Sequence, residues 1–162
     1  MRQILPKKKK VIKKKKQVES RHLARELALQ MLFQAEAGKV TLKEMKKEFA
    51  PLQSVGENTR EFVLNITAGT LDSIKEIDGV LEPCMENWTL DRLSTVDRNI
   101  LRMAVFEILH CDDIPVKVTL NEAIELAKRF GGEDSGRFIN GVLDSVKEEN
   151  PEAIAAKLEN PS

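Results

Sequence analysis

Apolar side chains recur with a helical period through most of this chain. The first such stretch begins at Ser20 and ends before Gly38, with apolar residues spaced so that they line one face of a helix. Similar stretches cover residues 58–83, 94–109 and 119–130, and the last clear one covers 138–146. We predict an interruption near Gly79 in the first of these three. No segment shows the clean alternation of apolar and polar residues that marks a half-buried strand. We therefore predict an all-α fold, a helical bundle of about seven helices.

Polar residues before several of these stretches match helix-capping patterns. A side-chain acceptor that is followed three residues later by Glu or Asp satisfies free backbone N–H groups in the first turn of a helix. The pattern occurs at Thr41 with Glu44, Asn58 with Glu61, Ser94 with Asp97, and Thr119 with Glu122. We predict that helices begin at these four positions, and that the one opened by Thr41 is short because Pro51 follows it.

Charge is distributed unevenly along the 162 residues. The net charge is zero, but the first twenty residues carry nine Lys or Arg and one acidic residue, whereas the other 142 carry 17 basic and 25 acidic residues. Two blocks of four lysines, Lys7–Lys10 and Lys13–Lys16, repel one another and bury little apolar surface. We predict that residues 1–19 form a disordered basic arm, which either binds polyanions or only solubilises the protein. Residues 20–148 then form the folded domain, and residues 149–162 a tail that could add a short helix.

The chain lacks the residue patterns of common catalytic and metal sites. Its two histidines lie in helical stretches without a nucleophile motif, and its two cysteines, Cys84 and Cys111, are far apart in sequence. We interpret these cysteines as small, partly buried apolar side chains, with a disulfide as the alternative. Residues 131–138 have the GxxxxG spacing of a phosphate-binding loop but lack its lysine and hydroxyl. We predict no enzyme activity, no metal and no cofactor.

No apolar run is long enough to span a bilayer, and no apolar stretch of a secretory signal follows the lysines. The expected location is therefore the cytoplasm.

Basic residues continue from the Lys blocks onto the first predicted helix. Arg21 and Arg25 are one helical turn apart, with His22 beside them, and can reach adjacent phosphates. An exposed aromatic would complete a surface for single-stranded RNA by stacking on an unpaired base. Phe138 follows a polar loop and could serve in this way, but it shares a helical stripe with Val142, and spacing alone favours a core position for it.

Five segments resemble, in order and spacing, the bacterial transcription antitermination factor NusB family. They are ARELALQMLF (24–33), VDRNILRMAVFE (96–107), IPVKV (114–118), NEAIELAK (121–128) and FINGVLD (138–144). The resemblance covers roughly residues 20–148 and implies an all-helical fold in two small subdomains. It also implies a non-enzymatic RNA-binding adaptor that pairs with the ribosomal protein NusE. Such adaptors bind the boxA element of nascent ribosomal RNA leaders and help RNA polymerase to ignore terminators.

The resemblance further implies which residues contact RNA. The matching positions are Arg21, His22, Arg25, Gln30, Arg102, Asp134 and Phe138. Family members often carry consecutive arginines at the first of these positions, whereas His22 and Leu23 interrupt them here. The upstream Lys blocks could compensate for the missing charge. Phe138 is raised from a core residue to a candidate for base stacking.

Two further positions match the surface at which the family meets NusE. They are Phe33 and Asp97, and Phe33 stands where a tyrosine hydroxyl is frequent. Two alternatives stay open at this point. The chain could be a general RNA-binding module in ribosomal RNA maturation, since similar modules occur fused to RNA cytosine methyltransferases, or it could be only a protein-interaction module. No GxGxxG cofactor motif follows a strand-like segment, which argues against a fused catalytic half.

Overall fold

A computed structural model describes the backbone of residues 7–38 and 40–159, and the side chains of residues 20–38 and 40–157. This part of the chain contains nine α-helices, two single turns of 3₁₀-helix and no strand. The helices are α1 (Lys7–Glu36), α2 (Leu42–Glu48), α3 (Ala50–Gln53), α4 (Glu57–Asp72), α5 (Ile74–Leu81), α6 (Thr95–His110), α7 (Val116–Phe130), α8 (Ser135–Glu149) and α9 (Pro151–Glu159). The all-α prediction is confirmed, and breaks at Phe49 and Ser73 account for helices beyond the expected number.

Helix α1 begins well before its predicted start at Ser20. Its backbone is helical from Lys7 through both Lys blocks, where the sequence predicted a disordered arm. Lysine has a high intrinsic helix propensity, and no Gly or Pro lies between Pro6 and Gly38 to end the helix. Residues 1–6 and the side chains of residues 7–19 lie outside the described residues, so the polyanion contacts of this segment stay a prediction.

Two of the four predicted helix caps are confirmed. The backbone N–H of Glu44 donates to Thr41 Oγ1 at 3.2 Å, and the N–H of Thr41 donates to Glu44 Oε2 at 2.8 Å, which completes a capping box. At the start of α6, the N–H of Asp97 donates to Ser94 Oγ at 3.2 Å.

The other two predicted caps are wrong. Helix α4 begins directly after Gly56, so Asn58 lies inside its first turn. Helix α7 begins directly after Pro115, whose φ of −60° already suits a helix. Thr119 is therefore inside α7, where it is buried and donates to Glu107 Oε1 at 3.2 Å. The Thr119 hydroxyl thus donates to a buried carboxylate instead of accepting from the free N–H groups of a helix N-terminus.

The long helix predicted over residues 58–83 is divided at a different place from the one expected. Ser73 leaves the helical conformation, with φ −109° and ψ 16°, and separates α4 from α5. Gly79, at which the sequence predicted the interruption, lies inside α5.

Helix α6 is the central element of the fold. Helices α1 and α4 pair with each other, as do α7 and α8, and α6 packs against both pairs and also against α5 and α9. The two groups share one continuous cluster of buried apolar side chains. None of the helices in the described ranges is long and apolar enough to cross a membrane.

Candidate nucleic-acid interface

Arg21 lies on α1 with a partly exposed guanidinium. Its Cζ is 5.1 Å from the centroid of the Phe62 ring on α4, and its Nη2 is 3.3 Å from Asp113 Oδ2. The side chain of Arg21 is nevertheless 35% exposed. Its planar fork of N–H donors is therefore held in place yet accessible to a phosphate.

His22 lies between two carboxylates. Its Nδ1 is 2.6 Å from Glu122 Oε2 on α7, and its Nε2 is 3.2 Å from Glu26 Oε1, one turn along α1. Both ring nitrogens of His22 therefore face carboxylates. The contact joins α1 to α7 beside Arg21.

Arg25 is not at the surface, in contrast to the sequence prediction. It is 3% exposed, and its Nε and Nη2 donate to the two carboxylate oxygens of Glu107 at 3.0 and 2.7 Å. Burial by itself would lower the pKa of Arg25, but its hydrogen bonds and ion pair with Glu107 outweigh burial and raise that pKa. A guanidinium that is enclosed and neutralised in this way has no free fork for a phosphate. Arg25 instead connects α1 to α6, one turn from Arg21.

Gln30 and Phe33 lie on the exposed face of α1. Gln30 is exposed, and Phe33 is 46% exposed. At 3.6 residues per turn, Gln30 is about half a turn around the helix axis from Arg21. The structure therefore places Gln30 beside Phe33, the predicted partner contact, and on the opposite face of α1 from Arg21.

Arg102 is also engaged by carboxylates. Its Nε and Nη2 donate to Asp78 Oδ1 and Oδ2, both at 2.9 Å, and its Nη1 is 3.7 Å from Glu36 Oε1. Only 13% of its side chain is exposed. Arg98 and Asn99 also donate to Glu36, so this network ties the C-terminal end of α1 to α6 and α5. The prediction that Arg102 contacts RNA directly is not favoured by this pairing.

Asp97 connects the start of α6 to the loop before α8. Its Oδ2 accepts from Ser135 Oγ at 3.2 Å, and the same Ser135 oxygen accepts from the N–H of Gly132 at 2.9 Å. The second carboxylate oxygen of Asp97 is buried and has no hydrogen-bond partner among the described residues. A Cβ on Gly131 would lie 2.6 Å from the Ser135 Cβ, which explains this glycine by close packing instead of phosphate binding.

Phe138 lies in the first turn of α8, directly after this loop. It is half-buried on α8, with its ring centroid 6.1 Å from that of Trp88 and an interplanar angle of 65°. Asp134 is exposed and precedes α8 without making a side-chain cap. The structure thus brings Phe138, Asp134 and Asp97 to one end of the molecule.

Sequence reasoning missed two residues that organise this region. Glu107 binds Arg25 and Thr119 from within α6, and Lys157 of α9 is 7% exposed, with its Nζ donating to the backbone oxygens of Glu107 and Ile114 at 2.8 Å each. Burial lowers the pKa of Lys157, against the opposing effect of neighbouring negative groups. Glu107 could have been found from the sequence, because a glutamate among the apolar residues of α6 needs a partner when it is buried.

The two cysteines are both free and buried, as the preferred interpretation predicted. Burial raises the pKa of the Cys111 thiol to about 12, and the carboxylates of Glu107 and Asp113 act in the same direction. Within the described ranges, no group of three or more His, Cys, Asp or Glu side chains could hold a metal ion.

Comparisons with known proteins agree on one family. The NusB family model matches residues 22–148. The transcription antitermination protein NusB of Desulfotalea psychrophila is 45% identical over 133 residues, which cover 78% of this chain and 94% of the relative. The protein of the same name from Desulfitobacterium hafniense is 50% identical over 131 residues, covering 80% of this chain and 88% of the relative.

Solved structures agree with this match. T. maritima NusB superposes with a TM-score of 0.77 at 37% identity, covering 86% of this chain and 97% of that structure. A structure of the antitermination factors NusB and NusE in complex with dsRNA matches with a TM-score of 0.72 at 25% identity, covering 81% of this chain and 98% of that chain. Because the family model spans most of the chain and the relatives align along nearly their full length, this chain belongs to the NusB family.

Proposed function

We propose that this chain is a transcription antitermination factor. It is an adaptor that binds the boxA element of nascent ribosomal RNA leaders together with ribosomal protein NusE, and so limits premature termination by RNA polymerase. The observation that carries the proposal is the nearly full-length similarity to proteins named for transcription antitermination. A similar fold in a NusB and NusE complex with RNA supports it.

In this proposal the adaptor makes and breaks no covalent bond. It aligns charged and polar groups with an RNA strand, and the affinity comes from phosphate contacts and base stacking. Nascent ribosomal RNA is made in the bacterial cytoplasm, so we place the protein there.

The predicted RNA residues take two different roles. Arg21 is partly exposed and would meet phosphates directly, in continuity with the Lys blocks of the same helix. His22 lies beside it, but both of its ring nitrogens face carboxylates, so it would act by holding α1 against α7. Arg25 and Arg102 are enclosed in carboxylate pairs and would act by fixing α1 against α6. Of these four residues, only Arg21 is expected to contribute to the salt dependence of binding, because counterions are released by charges that reach phosphates.

The remaining predicted contacts lie where RNA and partner could meet. Gln30 and Phe33 share the exposed face of α1, so RNA that reaches Gln30 would run beside a partner bound at Phe33. At the other end of the site, Asp97 would face the partner while Asp134 and Phe138 face RNA. Binding of NusE would then extend one surface for RNA, which gives a physical reason for cooperative binding.

Fluorescence anisotropy of a labelled boxA RNA tests this function directly. The control is a scrambled RNA of equal length, and each RNA is titrated with this protein alone and with NusE at two salt concentrations. We expect tighter binding of boxA RNA, enhanced by NusE. Equal binding of both RNAs, abolished by salt and unaffected by NusE, would reduce the protein to a general polyanion binder. Absence of RNA binding under all conditions would instead favour a protein-interaction module.

A further inference from the structure

Trp88 is exposed although it is the largest apolar side chain of the protein. It is the only tryptophan of the chain, and 49% of its surface is exposed. The Phe138 ring packs against the Trp88 indole in an edge-to-face arrangement. This arrangement supports the indole from one side and leaves part of its surface open.

The turn that carries Trp88 is fixed at both ends. Before it, Cys84 and Met85 are buried, and after it, Leu90 and Leu93 are buried. Arg98 Nη1 also donates to the backbone oxygens of Leu90 and Leu93, at 2.9 Å each. A side chain on such an anchored turn loses little further conformational entropy when a ligand binds.

The backbone before Trp88 is in an unusual conformation. Asn87 has a φ of 64°, in the left-handed region that asparagine tolerates better than most residues. This conformation redirects the chain at the residue before Trp88, within a turn whose two ends are buried.

The charges around the ring pair suit an RNA strand. Arg137 is exposed and precedes Phe138 on α8, and Lys128 is exposed and runs beside the same helix, since a Cβ on Gly136 would lie 3.5 Å from Lys128 Cγ. The Arg137 guanidinium can meet a phosphate next to a stacked base, whereas Lys128, whose Nζ is 3.6 Å from Glu125 Oε1, adds positive charge near the start of the same helix. The exposed Asp134 carboxylate is an acceptor that amino groups of a base can use.

We propose that Trp88 and Phe138 together form a stacking site for one unpaired RNA base, with Trp88 supplying the open aromatic surface. This inference rests on the proposed RNA-binding function and deepens it by adding a residue that the resemblance did not indicate. The other large apolar side chains that are exposed in the described ranges, Leu23, Phe33 and Val118, belong to α1 and α7. Two isolated rings fit a single base better than they fit the broad apolar centre of a protein interface.

Because Trp88 is the only tryptophan, its emission reports directly on this site. The full chain is titrated with fluorescein-labelled boxA RNA for anisotropy and, in parallel, with the unlabelled RNA while Trp88 emission is recorded. A fully paired duplex of the same sequence is the comparison. We expect single-stranded RNA to quench Trp88 with the midpoint that anisotropy gives, and the duplex to quench it much less, since paired bases are already stacked.

Variants separate stacking from apolar contact. Trp88→Leu keeps an apolar side chain but removes the ring, and should weaken binding of the single strand by about fivefold to a hundredfold. Trp88→Phe should keep most of the affinity. Val118→Ala, which trims a comparably exposed side chain on α7, is the matched control and should bind as the unmodified protein does. Circular dichroism verifies that each variant keeps its helical content.

The possible failures are distinguishable. If anisotropy shows specific RNA binding while Trp88 emission is unchanged and Trp88→Leu binds equally well, the stacking site is refuted and the adaptor function stands. If Trp88→Leu weakens binding of NusE but not of RNA, the ring pair belongs to a protein interface and the inference is again refuted. If no RNA binds at all, the proposed function fails and the inference fails with it.

Discussion

Arg21 and Arg25 are one turn apart on the same helix, yet their guanidinium groups have different surroundings. Both lie about 5 Å from the Phe62 ring, at 5.1 and 5.2 Å, but only Arg25 is enclosed with a bidentate carboxylate partner. Sequence spacing treats them as an equivalent pair of phosphate contacts. Their burial predicts that substitutions at the two positions will affect different properties.

Replacing Arg25 with Ala should lower the free energy of unfolding by about 3–5 kcal/mol, because Glu107 is left buried without its partner. Replacing Arg21 with Ala should change stability little, and should reduce the slope of log affinity against log salt by roughly 0.7–1. Urea unfolding and RNA titrations at several salt concentrations measure these effects. Restored stability in Arg25→Met combined with Glu107→Leu would support the buried-pair explanation. A stable Arg25→Ala protein with a flattened salt slope would contradict it.

Cys111 predicts a loss of stability at alkaline pH. Burial raises the pKa of its thiol from 9.0 to about 12, so the unfolded chain releases this proton at lower pH than the folded protein does. The folded state then binds more protons between these two values, and its stability must fall as pH rises through that window. We expect the urea midpoint of the natural protein to fall more steeply above pH 9 than that of Cys111→Ala. Equal slopes in the two proteins would exclude this thiol as the cause.

At the scale of the helices, the approach of α4 to α6 depends on one glycine. A Cβ on Gly69 would lie 2.1 Å from Phe106 Cζ, whereas a Cβ on Gly79 of α5 would meet nothing within 4 Å. Both glycines lie in helices, so helix propensity alone predicts that alanine stabilises at either position. The packing of Gly69 reverses that expectation for one of them.

We expect Gly69→Ala to destabilise the protein by about 1–3 kcal/mol through overpacking. Gly79→Ala should stabilise it by about 0.5–1 kcal/mol, because alanine restricts the unfolded chain more than glycine does. Thermal unfolding of the two variants gives the comparison, and Gly69→Ala with Phe106→Leu should recover part of the loss. A stabilised Gly69→Ala protein would show that α4 and α6 are not in close contact at this point.

On the scale of the whole molecule, basic charge is concentrated in the N-terminal part of α1. The Lys blocks belong to the same helix as Arg21, while the residues beyond position 20 carry an excess of eight negative charges. Such an arrangement directs a polyanion toward the N-terminal part of α1 and away from the acidic remainder. It does not by itself distinguish one RNA sequence from another.

Replacing the eight lysines of Lys7–Lys10 and Lys13–Lys16 with glutamine should therefore lower the affinity for boxA RNA and for scrambled RNA by the same factor. Glutamine and lysine have similar helix propensities, so α1 should persist, and lysine-to-arginine replacement at the same positions is the control that keeps the charge. Anisotropy with both RNAs measures the ratio of affinities. If binding of boxA RNA alone decreased, the segment would be reading sequence or shape.

The sequence by itself determined the helical class, the caps at Thr41 and Ser94, and the family. These features depend on local periodicity, on hydrogen bonds within a turn, and on the order of short segments, all of which are local in the chain. Only the tertiary structure decided that Arg25 is enclosed, that Thr119 binds a carboxylate in place of capping a helix, and that Trp88 meets Phe138. Each of these depends on a partner far away in sequence, such as Glu107, 82 positions from Arg25. Helical spacing fixes which face of a helix a residue occupies, but the partner that covers that face is set by how the helices pack.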